Sequence, residues 1–199
     1  MKLLEYYARL RKDLVSIVAG VRNSNSDDVV WRWDNTTPNS ETRKKLKKLF
    51  TGYLNLAEPF GLRVVTRHHG CQNPIHYESE SGIFIHGMTW RDPDYIWDGN
   101  FIYQGERVCK CPCSAENEPT SHDVVDEIIY RKSADLPACE TITTILLWVS
   151  SAIDNAEDRK PRSGIREYLL CAIIRLNEAI LPITVDEYLE QQLGKNSGE

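Results

Sequence analysis

No apolar run in this chain approaches the roughly 20 residues that a bilayer span requires. The run from Ile145 to Val149 is a short fragment. The opening residues MKLLEYYARLRKDL carry Glu5, Arg9, Arg11, Lys12 and Asp13, and so lack the continuous apolar core of a secretory signal. Both absences predict an intracellular protein, cytoplasmic or nuclear, with no membrane contact and with reduced thiols. Catalytic signatures are equally scarce. There is no Gly-rich phosphate loop, no Gly-x-Ser-x-Gly elbow, no His-Glu-x2-His helix and no Pro-Cys-x2-Cys pair of the nucleobase deaminases. No internal repeat is present.

What remains is the composition of a soluble globular chain: 199 residues, 41% apolar and 27% charged, with 11 Gly, 9 Pro and 6 Cys. A chain of this size buries roughly 70% of its unfolded surface, enough for a core without covalent staples. The net charge of −5 is unevenly spread, with +5 over residues 1–57, −4 over 58–122 and −6 over 123–199. A basic front on an acidic body points either to an anionic partner or to docking of the front on the rest of the chain.

Leu3, Tyr7, Leu10, Leu14 and Ile17 alternate spacings of four and three, predicting an amphipathic helix that Gly20 ends. Such a stripe packs on a core or forms the seam of a homodimer. Val29, Trp31 and Trp33 alternate as a strand does. A helix follows Pro38 with Ser40 as its cap, buries Leu46, Leu49, Phe50 and Tyr53, and ends at Glu58-Pro59. Residues 62–110 read as short strands: Leu62 to Thr66, Ile83 to His86, Asp94 to Trp97 and Phe101 to Val108. Asp98-Gly99-Asn100 is a hairpin signal between the last two. Ser121 then caps a helix carrying Val124, Val125, Ile128 and Ile129. Further helices span about Leu136 to Ile153 and Ser163 to Leu181. Pro182 stops the latter, and the capping box Thr184 to Glu187 opens a last one. The class is α+β: amphipathic N-terminal helices, a small central antiparallel β region and a C-terminal helical bundle. The expected division is 1–120 and 121–199.

All five histidines and four of the six cysteines lie between residues 68 and 122: His68, His69, Cys71, His76, His86, Cys109, Cys111, Cys113 and His122. Imidazole and thiolate are the preferred donors of zinc, and four of them close a structural site. His69, Cys71 and His76 supply one half and Cys109, Cys111 and Cys113 the other, clipping the β region shut. Alternate cysteines on an extended strand face opposite ways, so the chain must bend at Pro112 if Cys109 and Cys111 share an ion. The alternative is a set of surface histidines and unpaired thiols, which would invite oxidation. Cys139 and Cys171 read as core residues of helices.

The basic residues Arg43, Lys44, Lys45, Lys47 and Lys48, near Trp31, Arg32, Trp33, His68 and His69, provide charge and aromatic platforms for RNA or DNA; the plainer reading is a solvated helix face. A different class of function, a metal-dependent nuclease, would use Asp94 and Glu106 to hold a divalent cation, with Lys110 beyond them. The leading expectation is a non-enzymatic, zinc-stabilised regulatory or adaptor protein, of the general type of viral accessory proteins. It would bind a protein partner and contact nucleic acid through the basic helix.

Overall fold

The computed structural model describes residues 1–23, 38–68, 76–79, 82–86, 93–110, 119–157 and 162–196. Among these residues, four helices and five strands follow one another as α1 (Leu3–Asn23), α2 (Pro38–Leu56), β1 (Leu62–His68), β2 (His76–Ser79), β3 (Gly82–His86), β4 (Tyr95–Lys110), β5 (Pro119–Arg131), α3 (Leu136–Glu157) and α4 (Arg162–Asn196). The class is α+β. The chain divides into two compact units, Met1–Tyr53 with Thr141–Glu199, and Leu54–Glu140. The position 120/121 at which the sequence suggests a division falls inside β5.

The first unit is helical and draws on both ends of the chain. α1 buries Tyr6, Tyr7, Leu10, Leu14 and Val18, so the stripe seen in the sequence is a core face and is consumed there. Each fully buried side chain of this size contributes about 1.5–3 kcal/mol of transfer free energy. α2 adds Leu46 and Tyr53, α3 adds Ile142, Ile145, Leu146 and Val149, and α4 adds Ile165, Leu169, Ala172 and Leu176. Polar and aromatic contacts also join the helices. The Tyr6 hydroxyl donates to the Tyr53 carbonyl oxygen at 3.1 Å, and the Tyr53 hydroxyl donates to Asp13 Oδ2 at 2.6 Å. Arg11 Nε donates to Asn177 Oδ1, tying α1 to α4, and Trp148 stacks on Tyr168 with ring centroids 5.7 Å apart.

The second unit is a five-stranded sheet in the order β2-β3-β1-β5-β4. β1, β5 and β4 form the antiparallel part expected. β3 departs from it by lying parallel to β1, with β2 antiparallel on its far edge. Gly61, at φ 96°, turns the chain from a short 3-10 turn (Glu58–Phe60) into β1. Its carbonyl accepts the Arg131 amide at 2.7 Å, which locks the start of β1 to the end of β5. Thr66 and Asp126, opposite each other in the ladder, share a 2.6 Å hydrogen bond, and Arg67 pairs with Glu127 at 2.9 Å.

Several sequence expectations are corrected. Cys171, read as a core residue, is exposed on α4. The stretch with Val124, Val125, Ile128 and Ile129 is strand β5, not a helix. All four are buried, and in a strand covered on both faces apolar doublets satisfy each face in turn, mimicking helical spacing. Asp98-Gly99-Asn100 makes no hairpin, because Tyr95–Trp97 and the residues from Phe101 onward both pair with β5. The turn signal becomes register shifts between Trp97, Phe101 and Tyr103 in one long strand. Pro182 does not end its helix: α4 runs through it, and Thr184 Oγ1 donates back to the carbonyls of Ile180 and Leu181 at 3.2 and 2.9 Å beside the interruption. α1 likewise passes Gly20 and ends at Asn23. The strand expected at Val29 to Trp33 lies outside the described residues.

α3 starts where the sequence indicates. Asp135 Oδ1 accepts the Ala138 amide at 3.2 Å as an N-cap, and Pro137 occupies the first turn, where its missing N–H costs nothing.

Candidate functional site

The strand directions bring the metal-type residues to one end of the sheet. His68 is the last residue of β1 and His86 the last of β3, and the parallel register makes them neighbours, about 4.8 Å apart by strand spacing. β2 is antiparallel to β3, so its first residue, His76, returns to the same end beside Ile85. On the other flank, the last residues of β4 and the first of β5 extend past the end of β1, pairing Cys109 with Thr120 and Arg107 with His122.

Register also sorts these residues. Thr120, His122 and Val124 alternate onto one face of β5, and Val124 opposes His68. Cys109, His122, His68 and His86 therefore occupy the same face of the sheet, whereas His76, opposite Ile85, falls on the other. Cys109 and His122 are diagonal neighbours on adjacent strands, their backbone positions about 7–8 Å apart. His76 and Cys109 are not brought together: they lie on the two edge strands, four strand spacings or about 19 Å apart. His69 and Cys71, in the connection from β1 to β2, and Cys111 and Cys113, in that from β4 to β5, lie outside the described residues. Among the described residues no three His, Cys, Asp or Glu side chains form a group able to hold a metal ion.

His68, His86 and His122 lie in the crowded window of the sequence but outside its expected ligand set. Only the strand register, which no single segment encodes, sets His86 beside His68 and His122 diagonal to Cys109.

The structure separates the backbone positions of the two residues named in the nuclease reading. Asp94 immediately precedes Tyr95, which pairs with Arg131, while Glu106 pairs with Asp123. Eight residues of β5 divide those pairs, about 27 Å of strand, so the two backbone positions cannot share one cation.

On α2, Lys44, Lys45, Lys47 and Lys48 are exposed, Arg43 is half-buried, and Leu46 turns inward. Lys44 forms an i,i+3 pair with Glu41 at 3.2 Å, and both side chains are well exposed. Such a pair is worth little in stability and leaves the face net basic. Trp31, Arg32 and Trp33 lie outside the described residues. His68 takes no part in a basic surface, because it is buried in the sheet at 2% exposure.

Cys139, near the start of α3, is also no ligand candidate. It is buried, and its Sγ lies 3.2 Å from the Phe60 carbonyl oxygen as donor. Burial, reinforced by Asp135 and Glu140, pushes its thiol up to about 11, so it stays protonated and inert at neutral pH.

No protein-family model, curated protein or solved structure matches this chain.

Proposed function

We propose that this is a non-enzymatic binding protein of regulatory or adaptor type, whose sheet is closed at one end by a structural zinc ion held by Cys109, Cys111, Cys113 and His122. The observation that carries the reading is the β4–β5 register. It sets Cys109 diagonal to His122 on one face, at the two roots of the connection whose sequence supplies Cys111 and Cys113. Three thiolates and an imidazole are a closed zinc set, with no position left for a substrate water. Such a site acts through folding: the ion binds the folded arrangement and not the unfolded chain, so its affinity appears as stability of a loop-rich surface. That surface, held in one shape, is what a protein partner recognises at low ordering cost. The exposed lysines of α2 supply a second, electrostatic contact suited to RNA or DNA.

Metal analysis of the untagged full chain tests this directly. One zinc per chain is expected, with a large fall in melting temperature on chelation. His122→Ala should lose the metal, and His76→Ala should keep it. Metal-free protein, or stoichiometric zinc retained in His122→Ala, overturns the assignment.

A further inference from the structure

While α1 spends its apolar stripe on the core, α4 carries a second one that is left uncovered. Leu170, Ile174, Leu181 and Val185 are 36%, 56%, 65% and 46% exposed. At 100° per residue they fall within about 60° of one another around the helix. The face buried in the first unit is a different one, made of Ile165, Leu169, Ala172 and Leu176. Among the described residues, α4 is thus apolar on two sides, and only one of them is covered.

Two coverings suit such a face. The stretch Gly164–Glu187 is long and apolar enough to cross a membrane by length and composition. However, Arg175, Asn177 and Glu178 sit at its middle, where each would enter the deepest hydrocarbon at the greatest cost. The same placement favours a second helix. Positions 170 and 174 mirror 185 and 181 about a point between Asn177 and Glu178. A twofold axis through that point sets Leu170 against Val185 of a second copy and Ile174 against Leu181 of a second copy. That self-complementarity is what a closed homodimer demands of one patch.

Charge follows the same symmetry. Arg175 and Glu178, both exposed, pair within one chain at 3.2 Å. About the twofold axis, Glu178 of one copy lies within two residues, or about 3 Å along the helix, of Arg175 of the other. Two opposite-charge pairs therefore flank the axis where the apolar stripe is interrupted.

We propose that α4 is a self-association surface, through which two copies pair antiparallel by Leu170, Ile174, Leu181 and Val185 about an axis between Asn177 and Glu178. Four side chains per copy fall short of the roughly 800 Å² per partner of a standard interface. The dimer is therefore weak, with a dissociation constant roughly in the micromolar range.

Sedimentation equilibrium of the full chain across the micromolar range should show a reversible monomer–dimer equilibrium. Ile174→Glu combined with Leu181→Glu should give monomer throughout, with circular dichroism and melting temperature unchanged, because both positions are exposed in the folded chain. Arg175→Glu alone and Glu178→Arg alone should each weaken the dimer at least about tenfold. An equimolar mixture of those two variants should recover it, since each supplies the charge the other lacks. Monomer at every concentration, a dimer that survives Ile174→Glu with Leu181→Glu, or a mixture no tighter than its components would each overturn the proposal. So would flotation of monomeric protein with phosphatidylcholine–phosphatidylserine vesicles that the double variant abolishes, which would assign the face to a membrane.

Discussion

Gly61→Ala tests how far one backbone position holds the start of β1 against the end of β5. Gly61 sits at φ 96°, in the left-handed region, where an added Cβ costs about 1–2 kcal/mol by conformation alone. Space is a second obstacle. The new Cβ would overlap the Ala134 Cβ, and would also lie 3.3 Å from the Ala134 Cα and 3.4 Å from the Arg131 Cβ. Those neighbours cannot simply withdraw. The Ala134 amide donates to the Arg131 carbonyl at 2.9 Å, and the Arg131 amide donates to Gly61 itself at 2.7 Å. Strain and overlap together should destabilise the protein by about 3 kcal/mol, a large share of the 5–15 kcal/mol typical of a domain.

Urea unfolding of the full chain, followed by circular dichroism, measures that loss as a lower midpoint at unchanged slope. Ala134→Gly in the Gly61→Ala background removes the overlapping methyl but not the strained φ. It should restore about 1 kcal/mol, giving a coupling between the two sites well outside additivity. The zinc content expected of the parent should survive Gly61→Ala, because Cys109 and His122 lie at the opposite end of the β4–β5 ladder. A loss below about 0.5 kcal/mol, or no rescue by Ala134→Gly, would refute the reasoning.

Two further outcomes follow from single sites. The Cys139 thiol is raised in the folded state, so its contribution to stability is complete below the unfolded thiol pKa near 8.5 and is lost as pH climbs through about 11; Cys139→Ala should flatten that decline in pH-dependent unfolding. Burial raises the Tyr6 and Tyr53 phenols as well, which extends the loss to still higher pH. Lys44→Glu with Lys48→Glu should abolish retention of RNA or DNA and flatten its salt dependence, leaving the melting temperature within about 1 °C, since both side chains are solvated and outside the core; binding at the parent's affinity would make α2 a solvated face only.

Local signals carried the helices. The 3-4 spacing of α1, the Pro38 start of α2 and the Leu136 start of α3 are each written in a few adjacent residues, and each helix begins close to where the sequence places it. The errors arise where a distant partner decides. Val124 to Ile129 is helical by spacing and a strand by pairing, because β1 and β4 flank it on both sides. Asp98-Gly99-Asn100 is a turn by propensity and a bulge in the chain, because β5 offers a continuous partner. Pro182 is a stop by sequence and an internal residue of α4. The candidate site behaves likewise. Crowding of His and Cys was legible, but which of them meet depends on strand order, and His76 and Cys109 end on opposite edges of the sheet.

Proton competition makes the zinc reading separable from the rest of the fold by pH. Cys109, Cys111, Cys113 and His122 hold an ion only when deprotonated, so protons compete with it. On the zinc reading, the ion's contribution should therefore be full in mild alkali and be lost as pH falls through the range in which such ligands protonate. Cys139 acts in the opposite sense: its contribution is full at neutral pH and is lost as pH rises toward about 11. Holoprotein should therefore be most stable near pH 8, with an acid limb set by the metal and an alkaline limb set by buried thiol and phenols. Chelated protein should keep the alkaline limb and lose the steep metal-linked part of the acid one. Unfolding curves across pH, with and without chelator, measure both limbs in one experiment. Superimposable acid limbs would mean that no ion binds at the β4–β5 end, whatever metal the preparation contains.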